Sequence, residues 1–365
     1  MKLDRPRLSI ALALVLACTA GCEDGAVVDS TSSGAGGGAA SSSTDAASTS
    51  ADSSSAAGTT SATTASAGGG GGQGPIAFLD EYPLAVTYPE GGAFDEVSRA
   101  FYVGSLESGT VHAIDAETGA ESTLFTETFT GKWLTLGMKV DEPNRALWVC
   151  AADQDTDPWY GELWRFDLDT KQRTAIIPLS AGAESAWCED VTVDSKGNAY
   201  ATDRENPNIY RVAKGASVAT LFATDPELGS SFIGQNGIVV LPGDAAIIAT
   251  VHFPARLNRI DITTGTVTPI TITGDFADAT IGSGADGMVY SNGALYVIFD
   301  GELVEVKPTL ADWTAVTATE ARLSGGLTDV MATPGGLYVV NGQAIGFVFG
   351  EDPDPFHIVK FTGSF

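Results

Sequence analysis

The chain has 365 residues, of which 46 are acidic and 19 are basic, and its formal net charge is −27. This balance argues against a nucleic-acid-binding protein, because no basic surface could offset the repulsion from phosphate groups. The 3 histidines form no HExxH-type pair, so a zinc site is not expected either.

The N-terminus has the features of an export signal. Three basic residues precede a short apolar run and then the sequence TAGC. The run is too short to span a bilayer, and small residues before a cysteine resemble the bacterial lipobox. Residues 1–22 are therefore predicted to be a lipoprotein-type signal peptide, with Cys22 as the lipidated residue. Cys18, in the sequence VLAC, is one alternative, and a signal that is cleaved without lipidation is another.

Residues 23–76 consist almost entirely of Ser, Thr, Ala, Gly and Asp. Such a segment buries too little apolar surface to offset the entropy of ordering, so we predict a disordered linker. With a lipid on Cys22, the linker would hold an exported globular domain at the bacterial cell envelope, on its periplasmic face or at the cell surface. The lipid anchor would be its one contact with the membrane.

An internal repeat decides the predicted fold of residues 77–365. Six times, a short apolar stretch leads to a turn and then to strands rich in aromatic and β-branched residues. The units begin about 40 to 55 residues apart, which is the length of a four-stranded propeller blade. We therefore predict an all-β fold, a six-bladed β-propeller, rather than a β-sandwich. The units begin near residues 90, 136, 189, 236, 286 and 328.

Two features of the sequence imply contacts between units. The sixth unit is one strand short, whereas the segment IAFLDEYPLAVTY precedes the first unit. We predict that this segment completes the sixth sheet and closes the ring, which removes an exposed strand edge. Cys150 and Cys188 remain in the mature chain, where they either form a disulfide or stay free, and the sequence leaves both open.

Oxygen-bearing side chains recur where the units begin. In a propeller, the first strand of each blade lines the central channel, so these residues meet at one mouth. Carboxylate and amide oxygens suit a hard divalent cation, and Ca²⁺ is favoured over Mg²⁺ because its coordination is less strict. Alternatively, these side chains accept hydrogen bonds from turn amides. The six positions hold Glu90, Leu136 or Gly137, Glu189, Asn236, Asp286 and the pair Thr328 and Asp329, so all but the second carry an oxygen-bearing side chain.

The strings PEGGAFD, CEDVTVDSKGNAYATD, QNGIVV and ADGMVYSNGALYV carry a family resemblance. They are similar to the blade starts of the senescence marker protein, gluconolactonase and luciferin-regenerating enzyme family, whose six-bladed propellers are related to paraoxonases. The resemblance covers roughly residues 80–361. It implies that Glu90, Asn236 and Asp286 are ligands of a divalent metal and that Asp286 is the general base.

The third unit departs from the family pattern. Where the family has an Asn-Asp pair, this chain has Glu189 and Asp190. An arginine that recognises sugar lactones in the family is replaced by Trp187, two positions earlier. A third carboxylate is expected to strengthen cation binding, so Glu189 is a further predicted ligand. Loss of the arginine argues against sugar-lactone specificity.

The resulting prediction is a divalent-metal-dependent hydrolase of lactones or related esters, in which the cation polarises the carbonyl and a water attacks it. Asp286 or Glu189 would deprotonate that water. Trp187 and His252 are candidate substrate contacts beside Glu189. The simpler alternatives are ordinary rim packing for Trp187 and a surface or packed histidine for His252. The sequence contains no GxSxG motif, so covalent catalysis by a serine nucleophile is not expected. The alternative function is a non-catalytic propeller that binds a protein, a glycan or a small ligand and holds a structural calcium.

Overall fold

A computed structural model describes residues 74–126, 131–180, 185–277, 284–350 and 352–365. The predicted signal peptide with Cys22, and the predicted linker up to residue 73, lie outside these residues. Within the described part the fold is all-β, and its strands form six separate sheets. None of the described helices has the length and apolar character needed to cross a membrane.

Blades 1 to 3 are four-stranded antiparallel sheets whose strands follow one another in chain order. Each turn returns the chain to the next strand outward, as in a meander. The strands of blades 1 to 3 are β2 (Gly92–Asp95), β3 (Ala100–Val103), β4 (Val111–Asp115), β5 (Glu121–Phe125), β6 (Trp133–Asp141), β7 (Ala146–Asp153), β8 (Tyr160–Asp167), β9 (Gln172–Pro178), β10 (Cys188–Val193), β11 (Ala199–Asp203), β12 (Asn208–Val212) and β13 (Thr220–Thr224).

Blades 4 to 6 keep this plan with two additions. A fifth strand, β18, pairs in parallel with the outer strand of blade 5, and a short helix joins two strands of blade 6. Their elements are β14 (Gln235–Val240), β15 (Ile247–Val251), β16 (Arg256–Ile260), β17 (Val267–Pro269), β18 (Thr271–Gly274), β19 (Ala285–Ser291), β20 (Ala294–Phe299), β21 (Glu302–Pro308), β22 (Ala315–Ser324), β23 (Leu327–Thr333), β24 (Gly336–Asn341), α1 (Ala344–Phe349) and β25 (His357–Lys360).

The ring closes between the two ends of the domain, as predicted. β1 (Glu81–Pro83) pairs antiparallel with β25 and forms the outer strand of blade 6. The Tyr82 ring is fully buried, and its hydroxyl donates a hydrogen bond of 2.6 Å to the Ala116 carbonyl in blade 1. The inner strands β23 and β2 also pack side by side. The first strand therefore joins the last blade to the first.

Apolar layers between successive blades form the core. The strand β7 shows why: all eight of its residues, ALWVCAAD, are buried, because both faces of the blade are covered by neighbouring blades. Cys150 in β7 forms a disulfide with Cys188 at the start of β10, across the interface between blades 2 and 3. This bond fixes the position of the residue that follows it, Glu189.

Candidate functional site

A ring of side chains surrounds the mouth, defined here as the end of the channel where the inner strands begin. In five blades the residue at this start position lies in a β-bulge, and a bulge re-aims a side chain away from the regular alternation. The start positions are Glu90, Leu136, Glu189, Asn236, Asp286 and Thr328.

The predicted ligands Asn236 and Asp286 are in direct contact. The amide Nδ2 of Asn236 donates a hydrogen bond of 2.8 Å to Asp286 Oδ1. Threonine hydroxyls from neighbouring blades hold the backbone of the ring: Thr202 donates to the Asn236 carbonyl at 2.8 Å, and Thr328 donates to the Glu90 carbonyl at 2.9 Å. The start positions of adjacent blades are therefore linked through the main chain.

The carboxyl groups of the ring interact strongly. Burial raises the pKa of Glu90 well above its ordinary value, and the nearby carboxylates of Asp286 and Glu189 raise it further. The pKa of Asp286 is also raised well above its ordinary value, first by burial and then by Glu189. Repulsion between buried carboxylates is the condition that a bound cation relieves.

Glu189 differs from the other two carboxylates because a cation lies beside it. It is 4% exposed, and its Oε2 atom is 3.7 Å from Nη1 of Arg204. Burial raises the pKa of Glu189, and the positive charge of Arg204 partly offsets that rise. Oε2 has no hydrogen-bond partner. The ring thus contains an acidic oxygen that is buried and only loosely paired.

The two other predicted substrate contacts lie at the same mouth. Trp187 is 1% exposed, with Trp159 packed edge-on against it and Arg204 over its ring. Its face is therefore covered by Arg204 rather than open. His252 donates from Nδ1 to the Ala285 carbonyl at 2.8 Å, which leaves Nε2 as an acceptor, and burial lowers its pKa to about 4. The imidazole is thus neutral at pH 7.

Beneath the mouth ring, two aspartates occupy the residue after the start position in blades 3 and 6. Asp190 accepts from the backbone amides of Val191 at 2.7 Å and Ile238 at 2.9 Å. Asp329 accepts in the same way from Val330 at 2.7 Å and from Gly92 at 2.7 Å. Each carboxylate therefore joins its own blade to the next.

A separate cavity of about 400 Å³ lies on the far side of these aspartates. Asp190, Asp329 and Lys139 all line it, whereas the start positions do not. Burial lowers the pKa of Lys139, while the two aspartates act in the opposite direction. Lys139 thus provides positive charge beside the two aspartates.

The mouth ring fits a hard cation by donor type. It offers carboxylate and amide oxygens, buried side chains of like charge and one unpartnered carboxylate oxygen on Glu189. In the part of the chain that the structure describes, however, no three His, Cys, Asp or Glu side chains are gathered closely enough to hold a metal ion. Ionised carboxylates repel one another, so a bound cation would have to bring the carboxylates of the ring closer together.

Comparison with solved structures gives many similar chains. An allergen of Malassezia sympodialis, Mala s 1, is 18% identical with a TM-score of 0.62, covering 78% of this chain and 96% of its own. A gluconolactonase of Xanthomonas campestris is 14% identical with a TM-score of 0.51, covering 75% and 86%. A calcium-binding regucalcin of Agrobacterium tumefaciens is 16% identical with a TM-score of 0.52, covering 78% and 94%.

These matches support the suspected resemblance, because a gluconolactonase and a regucalcin share the six-bladed fold of this chain. At such identities the likeness shows the fold alone. No protein family profile matches the chain, and none of the curated proteins compared with it matches its sequence.

Arg204 is the residue of the site that the sequence analysis did not single out. It follows the second strand of blade 3, and His252 follows the second strand of blade 4. Their backbone amides make equivalent hydrogen bonds. Arg204 N–H donates to the Trp187 carbonyl, and His252 N–H donates to the Gly234 carbonyl. Repeat equivalence to His252 was therefore a signal that could have identified Arg204.

Proposed function

We propose that this chain is a divalent-cation-dependent hydrolase of lactones or related esters, with its active site at the mouth ring. The contact of Asn236 with Asp286, at a mouth that also holds Glu90 and Glu189, carries the proposal. The gluconolactonase and the regucalcin with the same fold support it, since one is named for lactone hydrolysis and the other is described as calcium-binding.

Glu90, Asn236 and Asp286 would hold the cation, with Glu189 as an additional oxygen donor. When bound, a divalent cation supplies Lewis-acid polarisation of the ester carbonyl and favours the ionised form of its ligands. Asn236 orients Asp286 through the 2.8 Å hydrogen bond. Ca²⁺ is the cation that we propose, because the donors are all oxygens and come from different blades.

Asp286 is the proposed base. It takes a proton from a water, the water oxygen bonds to the acyl carbon, and the ester C–O bond breaks as the proton passes to the leaving oxygen. Glu189 is less suited to this step, because Arg204 stabilises its ionised form. His252 is neutral and fixed through Nδ1, so we assign it a role in lining the mouth.

We further propose that the domain acts outside the cytoplasm, held at the cell envelope by a lipid on Cys22. The export signal and linker suggested by residues 1–76 support this location. The disulfide between Cys150 and Cys188 is consistent with an oxidising compartment.

The test is calcium titration calorimetry on the purified, EDTA-treated protein, followed by assays on a panel of neutral lactones and aryl esters with and without chelator. We expect Ca²⁺ binding, and turnover that chelation abolishes. Asp286→Asn and Glu90→Gln should each weaken Ca²⁺ binding by about tenfold or more, because each removes a buried negative donor.

Glu96→Gln is the matched control, since Glu96 is an exposed carboxylate in the turn after β2. Calcium binding that the two site variants leave unchanged would refute the site. Calcium binding without turnover of any ester would instead support a non-catalytic propeller that carries a structural cation.

A further inference from the structure

The backbone of Arg204 is held rigidly between blades 3 and 4. Its N–H donates to the Trp187 carbonyl at 3.1 Å, and its carbonyl accepts from Gly234 at 3.1 Å. The preceding carboxylate, Asp203, accepts from the amides of Trp187 and Glu205 at 3.0 Å each. These hydrogen bonds fix the position of the Arg204 Cα atom beside the mouth ring.

The side chain of Arg204 is fixed as well. Its guanidinium carbon lies 5.0 Å from the centroid of the Trp187 ring, and Trp159 packs edge-on behind that ring at 5.4 Å. The Arg204 side chain is 14% exposed. Stacking on an indole is a favourable cation–π arrangement, and it orients the planar guanidinium without using its N–H donors.

Those donors are largely unused. The guanidinium has five N–H groups. In the described part of the chain its partner is Glu189 Oε2, at 3.7 Å, which is longer than a hydrogen bond, and the Nε atom is buried with no acceptor. The guanidinium beside Glu189 therefore keeps N–H groups that can donate to an acceptor from outside the chain.

The charge of the site indicates which acceptor fits. Glu90, Glu189 and Asp286 contribute three negative charges when ionised, and a divalent cation with Arg204 contributes three positive charges. Asp190, Asp329 and Glu205 add negative charge nearby, which Lys139 offsets only in part. A loaded site thus has no excess of positive charge, and burying a further unpaired carboxylate there would be unfavourable. An uncharged oxygen, a carbonyl or a hydroxyl, is the acceptor that this balance favours.

We propose that Arg204 is a substrate-binding residue, whose guanidinium donates hydrogen bonds to an uncharged oxygen of a neutral lactone or ester. This inference rests on the proposed hydrolase function and adds a substrate class to it. Trp187 then acts as a positioning residue, because it supports Arg204 from behind instead of contacting the substrate.

The test compares Arg204→Gln with Arg211→Gln. Arg211 is a suitable control because it also stacks on an aromatic ring, that of Tyr200 at 5.9 Å, and also has a buried Nε without a partner. For neutral lactones, we expect Arg204→Gln to raise KM about tenfold or more while kcat changes little. Arg211→Gln should leave both constants unchanged.

A second measurement does not depend on activity. Removing the positive charge beside Glu189 should make Arg204→Gln bind Ca²⁺ several-fold more tightly than the wild type in calorimetry. Arg204→Lys keeps the charge but loses the planar fork, so it should restore wild-type Ca²⁺ affinity while KM stays raised. A purely structural role for Arg204 would not separate these two properties.

An unchanged KM in Arg204→Gln, with normal turnover by the wild type, would overturn this inference alone. So would an unchanged Ca²⁺ affinity, or a preference of the wild type for carboxylate-bearing esters over neutral ones. Absence of any ester hydrolysis by the wild type would overturn the proposed function, and the substrate assigned to Arg204 with it.

Discussion

At the scale of single residues, the aspartates beneath the mouth fit over glycines of neighbouring blades. A Cβ atom on Gly137 would lie 2.1 Å from Asp190 Oδ1, and one on Gly287 would lie 2.2 Å from Asp329 Oδ1. Both distances are far below van der Waals contact. A side chain at either glycine would therefore push a hydrogen-bonded carboxylate out of its place.

Gly287→Ala is expected to lower the free energy of unfolding by about 1–3 kcal/mol, the usual cost of overpacking. The physical reason is the clash with the carboxylate of Asp329. Urea denaturation of the wild type and the variant measures the difference.

A double-mutant cycle with Asp329→Ala is the control for this clash. If the carboxylate is the obstacle, the double variant should be less destabilised than the sum of the two single variants. Strict additivity would show that Gly287 is needed for another reason, such as the Thr328 carbonyl oxygen, which would lie 2.9 Å from an added Cβ atom.

The sequence predicted the acidic residues of the mouth ring but not Arg204, the basic residue beside them. Glu90, Glu189 and Asp286 could be placed together because they occupy equivalent repeat positions. Arg204 follows the second strand of its blade, and its approach to Glu189 depends on stacking against Trp187. That stacking is a tertiary contact which strand periodicity does not reveal.

At the scale of elements, the disulfide joins the second strand of blade 2 to the inner strand of blade 3. Cys150 and Cys188 are 38 residues apart in sequence. The sequence left open whether they pair, because spacing alone does not show that both strands lie at one blade interface. The structure shows that they do.

The Cys150→Ala/Cys188→Ala variant is expected to be less stable by up to about 4 kcal/mol, the value that loop-closure entropy gives for a loop of this length. Urea denaturation of both proteins under oxidising conditions measures the loss. Adding reductant should destabilise the wild type and leave the variant unchanged. Equal stability of the two proteins under oxidising conditions would show that the disulfide does not contribute to the free energy of unfolding.

Strand positions followed from the repeat, but two elements were missed. The repeat predicts four strands for each unit, whereas the end of the fourth unit divides into β17 and β18. Pro269 lacks an N–H and ends the first ladder, and the Thr271 amide then donates to the Thr314 carbonyl of blade 5 at 3.0 Å. The helix α1 is also short, with six residues, and shows no helical repeat.

At the scale of the whole molecule, buried carboxyl groups make stability depend on pH. Burial raises the pKa of Asp329 to about 7, and the pKa values of Glu90, Asp190 and Asp286 are raised well above their ordinary values. A raised folded-state pKa means that the folded protein retains protons which the unfolded chain releases. The stability that these protons provide is lost as pH rises.

For the cation-free protein, the free energy of unfolding is expected to fall by a few kcal/mol between about pH 4 and about pH 7. Urea denaturation across this range in EDTA measures the fall, and saturating Ca²⁺ should reduce it. Asp329→Asn should flatten the profile, since the amide has no proton to lose.

Asp95→Asn is the control of opposite sign. Burial alone would raise the pKa of Asp95, but hydrogen bonds from Arg145 outweigh burial and lower it. The stability that the ionised Asp95 provides is therefore lost only as pH falls below the ordinary range of a carboxyl group. This variant should be less stable throughout and should keep the wild-type slope. A wild-type stability that rises with pH over the same range would contradict the assignment of protonated carboxyl groups.

The number of blades and the closing of the ring were both predicted correctly, because a spare strand at one end matched a missing strand at the other. Blade order and ring closure follow from repeat counting alone. The arrangement of Asp190, Asp329 and Lys139 within the channel does not, since it depends on which neighbouring blade presents a glycine or an amide.

The pairing of β1 with β25 also sets the order of events during synthesis. Tyr82 pairs with Ile358, so the first strand of the domain to emerge from the ribosome must wait for the last. Until then, β1 lacks its partner strand and the edge of β24 in blade 6 stays open to other chains. Chains that stop before β25 therefore cannot complete the ring, and until β25 is made the incomplete protein is the form most exposed to aggregation.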